Sequence, residues 1–321
     1  MSNREIVAEN LIKRYGNFAA VNGVSFKVSS GEIYGFLGPN GAGKSTTVSM
    51  MTTLALPTSG RALVGGFDAV SQAGEVRRVA GVALQEIGLD PLMKSMELLT
   101  IQAQTFGYSR KEAQARAREL LDLVKLSEFT ERQVGKYSGG MRRRLDLAMA
   151  LAHEPEILFL DEPTTGLDPA SRRDIWAEVR RLNKEHGMTI FLTTQYLEEA
   201  DELADRVAII KQGQIAVEGT PAELKASMGT ESINVSFRET DQAEKAADQL
   251  RDMGRVQIDR KVLRLYMSQA AAAVPAVMNR LQAASLEPIS LTLTQPTLDD
   301  VFLQVTGGRF TESEPEAEAV A

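Results

Sequence analysis

One eight-residue string, Gly38-Pro39-Asn40-Gly41-Ala42-Gly43-Lys44-Ser45, limits what this chain can be more than any other feature. It follows an apolar run at residues 32–37 (EIYGFL) that reads as a strand, and it opens a stretch from Lys44 that reads as a helix. A turn of this composition between strand and helix fits the phosphate-binding pattern GxxxxGK[ST]. Its glycines let successive backbone N–H groups turn inward around phosphate oxygens, and the helix N-terminus adds partial positive charge. Lys44 is expected to reach the β and γ phosphates as a point charge, and the Ser45 hydroxyl to ligate Mg²⁺.

Residues 157–160 (ILFL) supply a complementary half: a fully apolar strand candidate that ends in Asp161 and Glu162. In open α/β sheets ligands bind at the C-terminal edge of the strands, where these carboxylates arrive. Neighbouring strand side chains point to opposite faces, and the turn at Pro163 lets both approach one site. Asp161 is then expected to hold the Mg²⁺ shell, and Glu162 to orient or deprotonate an attacking water. Oxygen chemistry is also what composition leaves open. The chain has no cysteine and only His153 and His186, which excludes disulfides, thiol nucleophiles and histidine-rich metal sites.

Further apolar runs at 188–194 (MTIFLTT) and 206–211 (RVAIIK) alternate with helical patterns from Lys44, over 109–126, over 140–153 and over 169–186, the signature of an α/β core with parallel strands. The stretch before Gly31 alternates instead like an antiparallel hairpin, which predicts a small β subdomain beside that core. At roughly 150 residues per domain, 321 residues suggest two domains. The pattern changes after a short helix ending at Gly229: strands at 233–237, 255–258 and 262–267 with helices at 241–253 and 270–285 predict a separate α+β domain. The boundaries read as 1–225, 226–308 and an acidic disordered tail over 309–321. The N-terminus lacks a basic segment and an apolar core, so the chain reads as cytosolic. The longest apolar stretch, 270–278, is about half what a bilayer crossing needs. A net charge of −7 argues against a nucleic-acid binder, and the triplet Arg142-Arg143-Arg144 is expected to spread over a solvated helix face.

Tyr137-Ser138-Gly139-Gly140-Met141 is where a family shows. A serine and two glycines at a helix N-terminus make a second anion-binding surface, or a plain N-cap. With the phosphate loop upstream and the Asp-Glu strand downstream, the string resembles the signature of ATP-binding cassette (ABC) ATPases, usually LSGGQ, from which it departs at Tyr137 and Met141. The resemblance implies an α/β P-loop nucleotide-binding domain, with a RecA-like core, an antiparallel β subdomain and a helical subdomain. It also implies ATP as substrate, bound by Gly38, Asn40, Gly41, Ala42, Gly43, Lys44, Ser45 and Thr46. Ser138, Gly139 and Gly140 would then complete the site of a second copy in a head-to-tail homodimer.

By the same resemblance Gln85 (in GVALQ) is the glutamine that senses Mg²⁺ and the attacking water and faces a transmembrane partner. Asp168 (in GLD) links the two sites of the dimer, and Tyr15 stacks on adenine. Gln195 stands where most ABC ATPases have a histidine touching the γ-phosphate. An amide donates to phosphoryl oxygen but relays no proton, so the base duty falls on Glu162, Gln195 positions, and turnover is expected to show no essential acid of pKa near 6.5. The strings TTQYLEEAD, YSGGMRRRLDLA, LDEPTTGLDP and LTQPTLDDVFLQVTG resemble the daunorubicin/doxorubicin-resistance branch. That branch implies an ATPase that drives export of a drug, antibiotic or lipid-like compound through a separate permease, attached peripherally to the inner face of the membrane. An importer ATPase and a non-hydrolysing ATP-binding regulator are the alternatives.

Overall fold

A computed structural model of the chain describes residues 4–228 and 231–306. In chain order it contains β1 (Ile6–Tyr15), β2 (Phe18–Val28), β3 (Ile33–Leu37), α1 (Lys44–Met51), β4 (Ser59–Val64), β5 (Phe67–Asp68), α2 (Ala73–Val79), β6 (Ala80–Ala83), α3 (Ser95–Thr105) and α4 (Arg110–Leu123). Next come α5 (Gly139–Ala150), β7 (Ile157–Asp161), α6 (Pro169–His186), β8 (Thr189–Thr194), α7 (Leu197–Leu203), β9 (Arg206–Lys211) and β10 (Gln214–Gly219). The last elements are α8 (Pro221–Ala226), β11 (Glu231–Ser236), α9 (Thr240–Leu250), β12 (Arg255–Asp259), β13 (Val262–Met267), α10 (Ala270–Ala283), β14 (Ser290–Thr294) and α11 (Leu298–Thr306). The chain divides into two compact units between Glu218 and Gly219. That break precedes the expected boundary at 225, so α8 belongs to the second unit. The acidic stretch 309–321 lies outside the described residues.

The first unit is built on a six-stranded sheet ordered β10-β9-β3-β8-β7-β6, in which β9, β3, β8, β7 and β6 run parallel. All four apolar runs found in the sequence are strands of it. β3, β7 and β8 are buried along their whole length, as strands covered on both faces must be. Alternation then sorts side chains by face. Tyr34, Phe36, Phe159 and Phe191 point one way; Tyr34, Phe36 and Phe191 meet Phe26 of β2 and Phe159 meets Phe191, with ring centroids 5.4–5.7 Å apart, which joins the core to the antiparallel sheet β2-β1-β4-β5. Ile33, Leu158, Leu160, Ile190 and Leu192 point the other way, against Leu145 of α5 and Ile175, Val179 and Leu182 of α6.

Register puts the chemistry at one edge. Leu37 pairs with Thr194, and Asp161 with Thr193, so β3, β7 and β8 finish level and release the phosphate loop, Glu162 and Gln195 from the same end of the sheet. The helices are bounded by their own sequence signals. Asp168 caps α6 ahead of Pro169, Gly187 ends it at φ 61°, and Ser109 and Glu112 form a capping box on α4.

The second unit is an antiparallel sheet ordered β12-β13-β11-β14. Ile233, Val235, Leu263 and Leu265 pack against Ala246 and Leu250 of α9 and Val277 and Leu281 of α10. The sequence pattern gives three of its strands and three of its helices, α8, α9 and α10, and misses β14 and α11. β14 is an edge strand whose residues are mostly exposed, so its apolar alternation carries little burial. α11 is fixed by a polar device instead: Asp300 ion-pairs with Arg264 of β13 and accepts from the Thr297 backbone N–H (2.9 Å) and hydroxyl (3.0 Å). Among the described residues no helix is long and apolar enough to cross a membrane.

Candidate functional site

Backbone geometry builds the phosphate loop. Gly43 precedes α1 at φ 107°, and a Cβ there would lie 2.4 Å from the Ala20 carbonyl oxygen, so only glycine can start the helix at this point. Ser45 and Asn40 are exposed, Thr46 is half-buried, and Gly38, Ala42, Gly43 and Lys44 are buried. Lys44 turns back over the loop, where its ammonium donates to the Gly38 carbonyl at 2.8 Å and pairs with Glu162 Oε1 at 3.1 Å.

Glu162 is the point of convergence. Its second carboxylate oxygen accepts from Gln85 Nε2 and from the Thr165 hydroxyl, both at 3.3 Å. Its backbone sits at φ 49°, left-handed for a residue with a Cβ, and its N–H donates to the carbonyl (3.0 Å) and hydroxyl (3.1 Å) of Thr193. The Thr193 hydroxyl also bonds Asp161 Oδ1. Thus Lys44, Gln85 and Glu162 share direct contacts, with Asp161 beside them. Thr165 and Thr193 are additions that sequence reading missed; the doubled threonines in EPTT and FLTT were the available signal.

The other site residues stand apart from this cluster. Tyr15, at the end of β1, is 56% exposed with the Lys13 ammonium over its ring. Gln195 is half-buried just past β8. Asp168 is exposed and caps its own helix, accepting from the Ala170 and Ser171 N–H groups at 3.0 Å. Ser138 caps α5, accepting from the Met141 N–H at 3.2 Å, and both Ser138 and Gly139 are exposed. The departures around them have local reasons. Tyr137 is buried, and its hydroxyl donates to the Phe129 carbonyl at 2.8 Å with Ser95 Oγ 3.1 Å away, while Met141 packs on the core.

The arginine triplet is a correction. It does not form a solvated face: Arg142 donates to the Tyr137 carbonyl, Arg144 to the Val124 carbonyl, and Arg143 is 5% exposed. Each guanidinium is spent on backbone oxygen. Burial also raises two carboxyls nearby. Asp146, beside Arg143, is pushed up to about 6 against that arginine's pull, and the fully buried Glu199, which accepts from Trp176 and Thr164, is likewise raised. A cavity of about 330 Å³ lined by Arg4, Arg116, His186 and Met188 opens near the other end of the strands, away from all of these groups.

The family model described as ABC transporter matches residues 21–165, and the one described as ATP-binding protein DrrA1-3-like, C-terminal domain, matches 219–306. The daunorubicin resistance ATP-binding protein DrrA3 of Streptomyces coeruleorubidus is 43% identical over 96% of this chain and 97% of its own length. The chain belongs to the ABC transporter ATP-binding family. It is therefore an ABC-type ATPase with a P-loop α/β domain, and its nucleotide is ATP. The linearmycin resistance ATP-binding protein LnrL of Bacillus subtilis is 37% identical over 94% of this chain and 97% of its own. A solved dimeric ATP-binding cassette in a post-hydrolysis state with ADP and phosphate superposes with a TM-score of 0.61 at 27% identity, covering 67% of this chain and 98% of that one.

Proposed function

We propose that this ATPase is the motor of an exporter for a drug-, antibiotic- or lipid-like compound, working through a separate membrane-spanning permease. The observation that carries the enzymatic part is the meeting of Lys44, Gln85 and Thr165 on the Glu162 carboxylate at the end of β7. The export direction is supported by relatives of full-length similarity that are named for antibiotic resistance, in Streptomyces coeruleorubidus, Streptomyces peucetius and Bacillus subtilis.

In this reading the triphosphate lies on the α1 N-terminus with Tyr15 against the adenine. A γ-phosphate reaching Lys44 competes with Glu162 for the same ammonium, and the carboxylate it frees accepts a proton from the attacking water. Gln85 and Gln195 orient that water and the phosphoryl oxygens. The donor set fits Mg²⁺ as well. Among the described residues there is no cluster of three or more His, Asp or Glu, and Ser45 and Asp161, with Gln85 near, offer the few oxygen ligands that suit an ion completed by phosphate and water. Bound there, the ion would neutralise developing phosphoryl charge.

A second copy supplies the cap. Ser138 and Gly139 head α5 as exposed groups, with Gly140 half-buried beside Ser171, and they are placed to close on the γ-phosphate of the other copy, with Asp168 at the seam. Closure then reports bound ATP, and hydrolysis lets the copies part. The permease would sit near Gln85 and the following segment, where Leu92 is 76% exposed. The peripheral location follows from that partner. Measuring phosphate release with and without Glu162→Gln tests the core of this reading. Release that survives the change overturns it, and no release from either chain favours a regulator.

A further inference from the structure

Arg143 reaches the frame of the candidate site at three separate backbone carbonyls. It sits on α5, the helix headed by Ser138, and only 5% of it is exposed. Its Nε donates to the Pro163 carbonyl at 2.8 Å, its Nη2 to the Asp161 carbonyl at 2.9 Å, and its Nη1 to the Leu84 carbonyl, while Asp146 Oδ2 lies 3.1 Å from Nη1. Three of these four partners are backbone oxygens next to site residues. Asp161 and Pro163 flank Glu162 on both sides, and Leu84 precedes Gln85.

This arrangement answers a physical problem posed by Glu162. A glutamate at φ 49° occupies a region that is unfavourable for a residue with a Cβ, and it persists only where the surroundings over-determine it. The Thr193 carbonyl and hydroxyl hold its N–H from one side. Arg143 holds the carbonyls before and after it from the other. The planar fork matters here, because a guanidinium presents donors in fixed directions and an ammonium on a flexible stem does not.

We propose that Arg143 is the positioning residue that sets Glu162 and Gln85 over the reacting phosphate, and that it ties this alignment to the helix whose N-terminus caps the nucleotide of the other copy. The proposal rests on the reading of Glu162 as the base. It gives one helix two duties: Ser138 acts on the partner's ATP, and Arg143 on the geometry of its own chain's site. Movement of α5 on docking is then felt at Glu162 through bonds to both of its neighbouring peptides.

The test is a double-mutant cycle in the full chain, with ATP dissociation constants and single-turnover phosphate release measured for the unaltered protein, Arg143→Lys, Glu162→Gln and the double variant. Arg143→Lys is expected to lower the rate of release about ten- to a hundred-fold while ATP affinity stays within about three-fold, since misplacement of the base costs rate and not binding. On the Glu162→Gln background the same change is expected to cost well below its penalty in the unaltered chain, because one of the two groups it positions is already gone and only the Gln85 share is left. Full rate with Glu162→Gln alone overturns the base reading, and this proposal with it. A reduced rate there, combined with an unchanged rate in Arg143→Lys or with its full penalty repeated in the double variant, overturns the role of Arg143 alone. Arg143→Gln, which keeps two N–H donors but neither the charge nor the fork, is expected to lower the rate at least as far as Arg143→Lys, with ATP affinity again within about three-fold. Loss of ATP binding in both variants also overturns the proposal, which confines the arginine to alignment.

Discussion

Lys44 and Glu162 form a buried ion pair, Nζ to Oε1 at 3.1 Å, with each side chain 4% exposed. The cation expected on the phosphates and the carboxylate expected to take the proton therefore begin as partners. On that expectation, phosphate binding would set a second anion against the first at the same ammonium.

Glu162→Gln removes the competing charge and the base together. Phosphate release should fall by about a hundred-fold or more, the usual range for a lost general base, while ATP binds at least as tightly as in the unaltered chain. Phosphate release and fluorescent-nucleotide titration check the two halves; weaker ATP binding would show that the ion pair does not oppose phosphate.

Ser138→Glu places a carboxylate on the exposed head of α5. A single chain should keep its affinity for ATP, because the change lies outside its own phosphate loop. ATP-dependent pairing of the Glu162→Gln chain should be lost, since the added carboxylate would occupy the helix end proposed for the partner's γ-phosphate and repel that phosphate. Light scattering with and without ATP decides this.

Two pH responses arise from where the histidines lie. His153 stacks on Phe106 with centroids 3.9 Å apart and bonds the Ala80 carbonyl, and burial holds its pKa below the ordinary value of 6.5. The unfolded chain then binds a proton that the folded chain refuses, so this contribution to stability is present above pH 6.5 and lost as pH falls through it. Melting curves from pH 7.5 to 5.5 should slope downward toward acid, and His153→Gln should flatten that slope. Turnover is a separate matter. Gln195→His should add a limb near pH 6.5 to the rate profile that the unaltered chain lacks.

Asp300→Ala leaves the Arg264 guanidinium in a largely buried place without its anion and frees the Thr297 donors. Losing one partner of such a pair costs about 3–5 kcal/mol. Hydrogen exchange should show that loss in β13 and α11, with α1 and β7 unaffected.

Most of the candidate site was legible because it is written in local strings. The phosphate loop, the Asp161-Glu162 strand end and the Ser138 cap each need fixed residue types at adjacent positions, and strand alternation delivers them to one edge. The residues that escaped detection depend on partners distant in sequence. Arg143 looked like surface because a run of three arginines ordinarily is, and only the fold brings the carbonyls of Leu84, Asp161 and Pro163 around it. Thr193 is similar: the doubled threonine of FLTT marks the position, but nothing local names the carboxylate it will touch. β14 and α11 went unseen for a different reason: one is an exposed edge, and the other is anchored by an ion pair between residues 264 and 300.

The level finish of β3, β7 and β8 sets where this protein can tolerate change in length. One residue inserted into any of these strands would advance the loop beyond it by about 3.3 Å and turn it to the opposite face, carrying Glu162 or the phosphate loop out of step with its counterparts. Gains and losses of residues along this lineage are therefore to be sought in its connections, and the lengths of these three strands should be among its slowest-changing measurements.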